Sequence, residues 1–172
     1  FFDLETQKLS QEVGGWNHKE LMRLSVGVTY NLKDGKFRVY QENEVEKLLE
    51  EILQADKVVG FNIKNFDYAV LSRYTSFDFS KIPTLDLLEE VHKQIGFRLS
   101  LDHLTEITLG YGKIANGLEA VRWFREGKIE KVITYCKHDV RITKELYEYG
   151  KKNGYILFKD RQKRVLRIPV NW

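Results

Sequence analysis

Two carboxylates stand two positions apart near the start of the chain, Asp3 and Glu5, within Phe1-Phe2-Asp3-Leu4-Glu5-Thr6. Alternate side chains of a strand share a face, so both acids emerge together. Their neighbours are apolar. Like charges in a half-buried strand repel and lose hydration, and a divalent cation is the usual relief. An edge strand with both acids in water is the plainer alternative. A third acid, Asp67, ends the run Gly60-Phe61-Asn62-Ile63-Lys64-Asn65-Phe66-Asp67. That run reads as the exit from a buried strand into a helix, where α/β proteins tend to place ligand sites. A helix N-cap is the alternative role for Asp67. The fourth acid, Asp139, lies one helical turn beyond Tyr135. On a wheel begun at Ile129 both fall on one flank of the apolar stripe Val132, Ile133, Cys136, Val140 and Tyr147. Four such carboxylates supply the hard oxygen ligands that Mg²⁺ or Mn²⁺ takes.

The elements that must position these residues follow from periodicity. Phe1–Glu5, Leu21–Tyr30 and Phe37–Tyr40 read as strands, the last two joined by a turn at Asn31–Lys36 that contains Asp34-Gly35. Gln7–Glu20 reads as a polar loop. Asn43 and Glu46 have capping-box spacing before Val45, Leu48, Leu49, Ile52 and Leu53, which recur at helical intervals. Lys57–Asn62 suits a buried strand. Helices are expected over Phe66–Arg73, Asp86–Ile95, Ser100–Leu109, Leu118–Glu126 and Ile129–Lys151, and a hairpin over Tyr155–Lys159 and Arg164–Val170. The order β-β-β-α-β-α, further helices and a hairpin predicts an α/β chain. Its sheet is mixed, with three antiparallel strands and then parallel additions, and helices flank it. That layout resembles the ribonuclease-H-like fold. Residues 1–152 would form that domain and 153–172 a C-terminal β-hairpin extension packed on it.

Composition narrows the classes. With 172 residues, 42% apolar, 13% aromatic and two prolines, the chain has the makings of one packed domain. A single cysteine excludes an internal disulfide and a four-cysteine zinc site. No apolar run approaches the roughly 20 residues of a membrane helix. No signal-peptide pattern is seen, so a soluble, cytoplasmic protein is expected. The first residues, Phe1-Phe2, lack a methionine, and the chain is expected to continue upstream. The net charge of +3 is uninformative alone. Setting four acids aside for metals leaves a more basic body, which suits a polyanion. Lys159, Arg161, Lys163, Arg164 and Arg167 face one acid, Asp160, in the terminal segment. They form either a solvated hairpin tip or a phosphate-contacting patch. Cys136 falls in the core stripe and His138 on the opposite, solvent face; Asp86 reads as a helix N-cap and Asp102 as a first-turn acid. Trp16 and the loop Gly110–Gly117 are either packed on their own domain or walls of a single-strand channel.

Taken together, Asp3-x-Glu5, Asn62-x-x-x-Phe66-Asp67 and Tyr135-x-x-x-Asp139, in that order, resemble the three motifs of the DEDD 3′–5′ exonucleases. The tyrosine is that of the DEDDy branch; the branch with histidine would need it at position 134, which is Thr134. The second motif is close to that of family-B polymerase proofreading domains. Trp123-Phe124, Tyr135-Cys136 and the hairpin look more like stand-alone YprB-type exonucleases. The resemblance spans roughly Phe1 to Tyr149. It implies two divalent ions, Mg²⁺ or Mn²⁺, with Asp3 bridging them, Glu5 and Asp139 on the first and Asp67 on the second. It implies Tyr135 as the residue that orients the attacking water, a positioning role consistent with a phenol protonated at neutral pH. Leu4, Thr6, Asn62 and Phe66 are assigned to substrate contact, with Asn62 also able to orient Asp67 and Phe66 to serve as core or base wedge. The expected substrate is single-stranded nucleic acid or a 3′ end, DNA favoured, with a helicase or repair protein as possible partner. An exoribonuclease and a non-catalytic nucleic-acid-binding module are the alternatives. A haloacid-type phosphatase would need Asp-x-Asp where this chain has Glu5.

Overall fold

The computed structural model describes every residue from Phe1 to Trp172. Chain order is β1 (Phe2–Thr6), β2 (Leu24–Asn31), β3 (Lys36–Gln41), α1 (Val45–Leu53), β4 (Val58–Gly60), α2 (Asp67–Leu71), β5 (Thr84–Asp86), α3 (Leu87–Ile95), α4 (Leu101–Leu109), α5 (Gly117–Arg125), α6 (Ile129–Asn153), β6 (Tyr155–Lys159) and β7 (Val165–Pro169). Strands β1, β2 and β3 form an antiparallel sheet, β4 and β5 a parallel pair, and β6 and β7 an antiparallel hairpin. The expected mixture of an antiparallel meander, parallel addition and terminal hairpin is therefore present.

The alternation in β1 divides the molecule. Phe2 and Leu4 point into a core with Leu48, Leu49 and Ile52 of α1 and Val70 and Leu71 of α2. Each fully buried aliphatic side chain of this kind stabilises the fold by roughly 1.5–3 kcal/mol. Asp3 and Glu5 point the other way, opposite Val28 and Val26 of β2. Those valines pack against Val132, Cys136 and Val140, one turn apart along α6. The lower half of α6 belongs to another core, where Ile142 and Leu146 meet Leu104 of α4 and Ile156, Phe158 and Ile168 of the hairpin. Thr108 Oγ1 bonds both the N–H and the C=O of Leu157, which fastens the hairpin edge to α4.

Close approach holds β4 beside β1. A Cβ on Gly60 would lie 2.8 Å from the Phe2 carbonyl oxygen and overlap the side chain of fully buried Ile63. Backbone and packed core leave it no room, so Gly60→Ala is expected to cost about 2–3 kcal/mol. Urea unfolding of the two chains checks this; equal midpoints would contradict it.

Several boundaries differ from expectation, each for a local reason. Asn43 caps nothing: Glu42–Glu44 forms a 3-10 turn and α1 starts at Val45. Tertiary bonds set that start, since the Glu42 carboxylate accepts from Arg23, Tyr74 and Gln7. Strand β5 is absent from the sequence reading because its three residues are too short for alternation to register. The polar loop after β1 winds into 3-10 turns at Ser10–Val13 and Trp16–Met22, so β2 begins only at Leu24. Helix α2 is a short five-residue piece within the expected Phe66–Arg73. His138 is half-buried, not solvent-exposed, because the loop before α5 folds over that face and Gly112 O accepts a hydrogen bond from its Nε2 at 2.9 Å.

Candidate active site

Three elements converge at one end of β1. The strand supplies Asp3 and Glu5, and its register slips between Glu5 and Thr6, a bulge of the kind that re-aims side chains beside sites. Packing of α6 on the Val26/Val28 face brings Tyr135 and Asp139 over the strand, and Cys136 Sγ lies 3.5 Å from Asp3 Oδ2. Asp3, Glu5 and Asp139 each offer an oxygen within 4.8 Å of the others'. Asp67 is supplied by another element, as the first residue of α2. It does not cap that helix; its Oδ1 accepts the N–H of Leu4 at 3.0 Å, which ties the second motif to the first.

The turn that carries Asp67 is held by Asp86, which is 3% exposed. Its carboxylate accepts the N–H groups of Asn62 and Lys64 and also caps α3 through Leu88 and Glu89. Asn62 takes a left-handed backbone conformation, φ 66°, to make that turn, and asparagine tolerates it better than most residues. The N-cap reading of Asp86 is thus correct, and the same side chain organises the neighbouring motif.

The acids are costly where they stand. Asp67 and Asp139 are 2% exposed, Glu5 is buried and Asp3 half-buried. Loss of water, and then the charge of Asp139, push Asp3 up to about 7. Burial and Asp3 raise Glu5 and Asp67 well above the carboxylate range. Burial also raises Asp139, against the pull of Lys113. Burial beside three carboxylates drives the Tyr135 phenol far upward, so it stays protonated. Asp139 Oδ1 is buried without a hydrogen-bond partner. An orphaned carboxylate oxygen, hard donors and mutual repulsion together fit a divalent cation.

One residue of the cluster has no counterpart in the sequence expectations. Lys113, from the loop between α4 and α5, directs its ammonium into the cluster, ion-paired with Asp139 Oδ2 and 3.1 Å from the Tyr135 hydroxyl. Burial works against its charge, but Asp139, Asp3 and Glu5 more than offset this and keep it protonated. A lone lysine in a glycine-rich loop has no periodicity to betray it.

The four carboxylates, Tyr135 and Lys113 border one cleft of about 700 Å³. Leu4, Thr6, Asn62 and Phe66 border it too. Leu4 and Thr6 are buried, with the Leu4 N–H donated to Asp67 and Thr6 Oγ1 to Lys8 O. Asn62 Oδ1 accepts from Arg98, and Phe66 meets the ring of Trp16 edge-on at 6.2 Å. Trp16 is 61% exposed and borders the cleft, with its ring packed edge-on against Phe66. The basic segment is not brought to this site: Lys159, Arg161, Lys163, Arg164 and Arg167 are exposed, but none lines the cleft. Arg164 folds back onto Asp160, and Arg167 lies over the Tyr155 ring. A second cavity of similar size lies at the far end of β1, but its central acid, Glu51, is already satisfied by Thr29, Tyr40 and Arg38.

The fold is α/β, and its clustered carboxylates come from the first strand and the last long helix. The family model of the RNase_H superfamily matches residues 1–150, and the chain belongs to that superfamily. Membership points to nuclease-type chemistry, for which divalent metals are the usual cofactors. No curated protein matches the chain. No helix is long and apolar enough to cross a membrane.

Proposed function

We propose that this chain is a metal-dependent 3′–5′ exonuclease of the DEDDy type, similar to YprB-type enzymes and proofreading domains. It hydrolyses phosphodiester bonds at the 3′ end of single-stranded nucleic acid, DNA favoured, and releases nucleoside 5′-monophosphates. The observation that carries this reading is the meeting of Asp3, Glu5 and Asp139 within 4.8 Å, with Tyr135 beside them and Asp67 bonded to the same strand.

Asp3, Glu5, Asp67 and Asp139 would hold two divalent ions. Bound there, divalent ions would supply Lewis-acid chemistry, activation of water at neutral pH and stabilisation of charge on the leaving 3′-oxygen. Tyr135 remains a phenol and acts as a hydrogen-bonding group that orients water, not as a base. Asp86 keeps Asn62 and the turn before Asp67 in place, so the second motif meets β1 in a fixed geometry. Arg98 has its guanidinium on Asn62 Oδ1 at the cleft wall and no carboxylate partner, which leaves it free to meet a phosphate. Trp16 offers an open aromatic face for a terminal base.

The test is product analysis. A 5′-labelled single-stranded oligonucleotide with Mn²⁺ should shorten one nucleotide at a time from its 3′ end and release 5′-mononucleotides, and EDTA should stop the reaction. Matched DNA and RNA oligonucleotides report the sugar preference. Internal cleavage or inert substrate would refute the reading. Trp16→Ala is expected to weaken oligonucleotide binding by about 1–3 kcal/mol, the usual worth of one stacked base. Fluorescence anisotropy on an Asp3→Asn background measures this without turnover; an unchanged Kd would remove Trp16 from the substrate path.

A further inference from the structure

The cluster of Asp3, Glu5 and Asp139 already contains a cation, and it is covalently part of the chain. Lys113 Nζ pairs with Asp139 Oδ2 and bonds the Tyr135 hydroxyl, and Asp139 Oδ1 is left orphaned. The lysine is delivered by a pinned backbone. Its own N–H donates to Asp102 Oδ1 at 2.7 Å, the preceding carbonyl accepts from His138 at 2.9 Å, and Tyr111 bonds Glu145 on α6. Gly112 lets the loop lie this close to α4, because a Cβ there would force the Asp102 carboxylate to shift. Beyond that fixed Cα, a four-carbon stem with several rotatable bonds carries the ammonium, and the side chain is 27% exposed and borders the cleft.

We propose that Lys113 is a tethered counter-ion which neutralises the carboxylate cluster when no metal is bound and surrenders Asp139 to an arriving divalent ion. The inference rests on the reading that these carboxylates hold metal. An ammonium and a dication cannot share one small set of carboxylate oxygens without strong repulsion. The ion therefore enters as the side chain leaves, while Asp102 and His138 keep the loop in place. Two consequences follow. The metal-free chain tolerates buried acids that would otherwise repel. Metal affinity is lower than the carboxylates alone would give, because each binding event first breaks an ion pair. Lys113 is on this account a positioning residue that sets the metal affinity of the site.

Two measurements test this, and neither reads activity. Isothermal titration with Mn²⁺ should show Lys113→Met binding at least roughly tenfold more tightly than the unaltered chain, since a competing charge has gone. Acetylation footprinting of the unaltered chain, with exposed Lys151 as reference, should show Lys113 labelled several-fold faster in saturating Mn²⁺ than in EDTA. An unchanged or weaker Kd in Lys113→Met, or an unchanged footprint, overturns the counter-ion role while leaving the metal centre standing. If Lys113→Met does not fold, the footprint alone decides. Absence of Mn²⁺ binding to the unaltered chain overturns this role and the metal centre together.

Discussion

Asp3→Asn and Asp139→Asn, made singly, are expected to lose about a thousandfold or more in turnover, equivalent to about 4 kcal/mol of transition-state stabilisation. Each removes one anionic ligand from the group of Asp3, Glu5 and Asp139 that lies within 4.8 Å. Neither should unfold the chain. Asp3 is pushed up to about 7 by loss of water and by the charge of Asp139, so its neutral amide relieves repulsion. Thermal melts in EDTA should therefore show Asp3→Asn as stable as the unaltered chain or more so. Activity that falls while stability holds is the mark of a functional acid. Full activity in either variant would disprove the assignment of the site.

Equally large is the expected effect of pH and metal on stability. A carboxylate whose pKa is raised in the folded state holds a proton that the unfolded chain has already lost. Its contribution to stability is complete below the ordinary carboxylate pKa and is lost as pH rises through the raised value. For Asp3 the window runs from about 4 to about 7, and Glu5, Asp67 and Asp139 shift in the same direction. Glu42, held down to about 2, despite partial burial, by Arg23, Tyr74 and Gln7, does the opposite, but only under more acid conditions. In EDTA the melting temperature should fall by several degrees between pH 5 and pH 7.5. Excess Mn²⁺ at pH 7.5 should restore it, because an ion held as proposed would bind only the ionised cluster of the folded chain. A flat profile in EDTA would show that the acids are not strained by burial.

How much of this is legible in residues alone depends on the kind of signal each feature leaves. The pairing of Asp3 with Glu5 follows from the two-residue period of a strand, and the shared flank of Tyr135 and Asp139 from the helical wheel; both positions are as expected. The apolar stripe through Val132, Cys136 and Val140 marks the face of α6 that meets the sheet. What periodicity cannot show is which loop covers a helix. His138 faces away from the sheet, and only the fold of residues 110–117 over it buries the ring. Lys113 reaches the acids by the same loop, across 26 positions of sequence from Asp139. Asp86 shows the intermediate case: its N-cap role is local and legible, whereas its bonds to Asn62 and Lys64 depend on β5 lying beside β4. Trp16 is an aromatic in a polar loop, and neither its 61% exposure beside the cleft nor its contact with Phe66 leaves a mark in the sequence.

The central claim is that these four carboxylates make a two-metal centre. Anomalous diffraction from crystals soaked in Mn²⁺ tests it most directly. Two peaks about 3.5–4 Å apart are expected in the cleft lined by Asp3, Glu5, Asp67 and Asp139. Crystals that bind Mn²⁺ elsewhere on the surface, with no peak in this cluster, would contradict it.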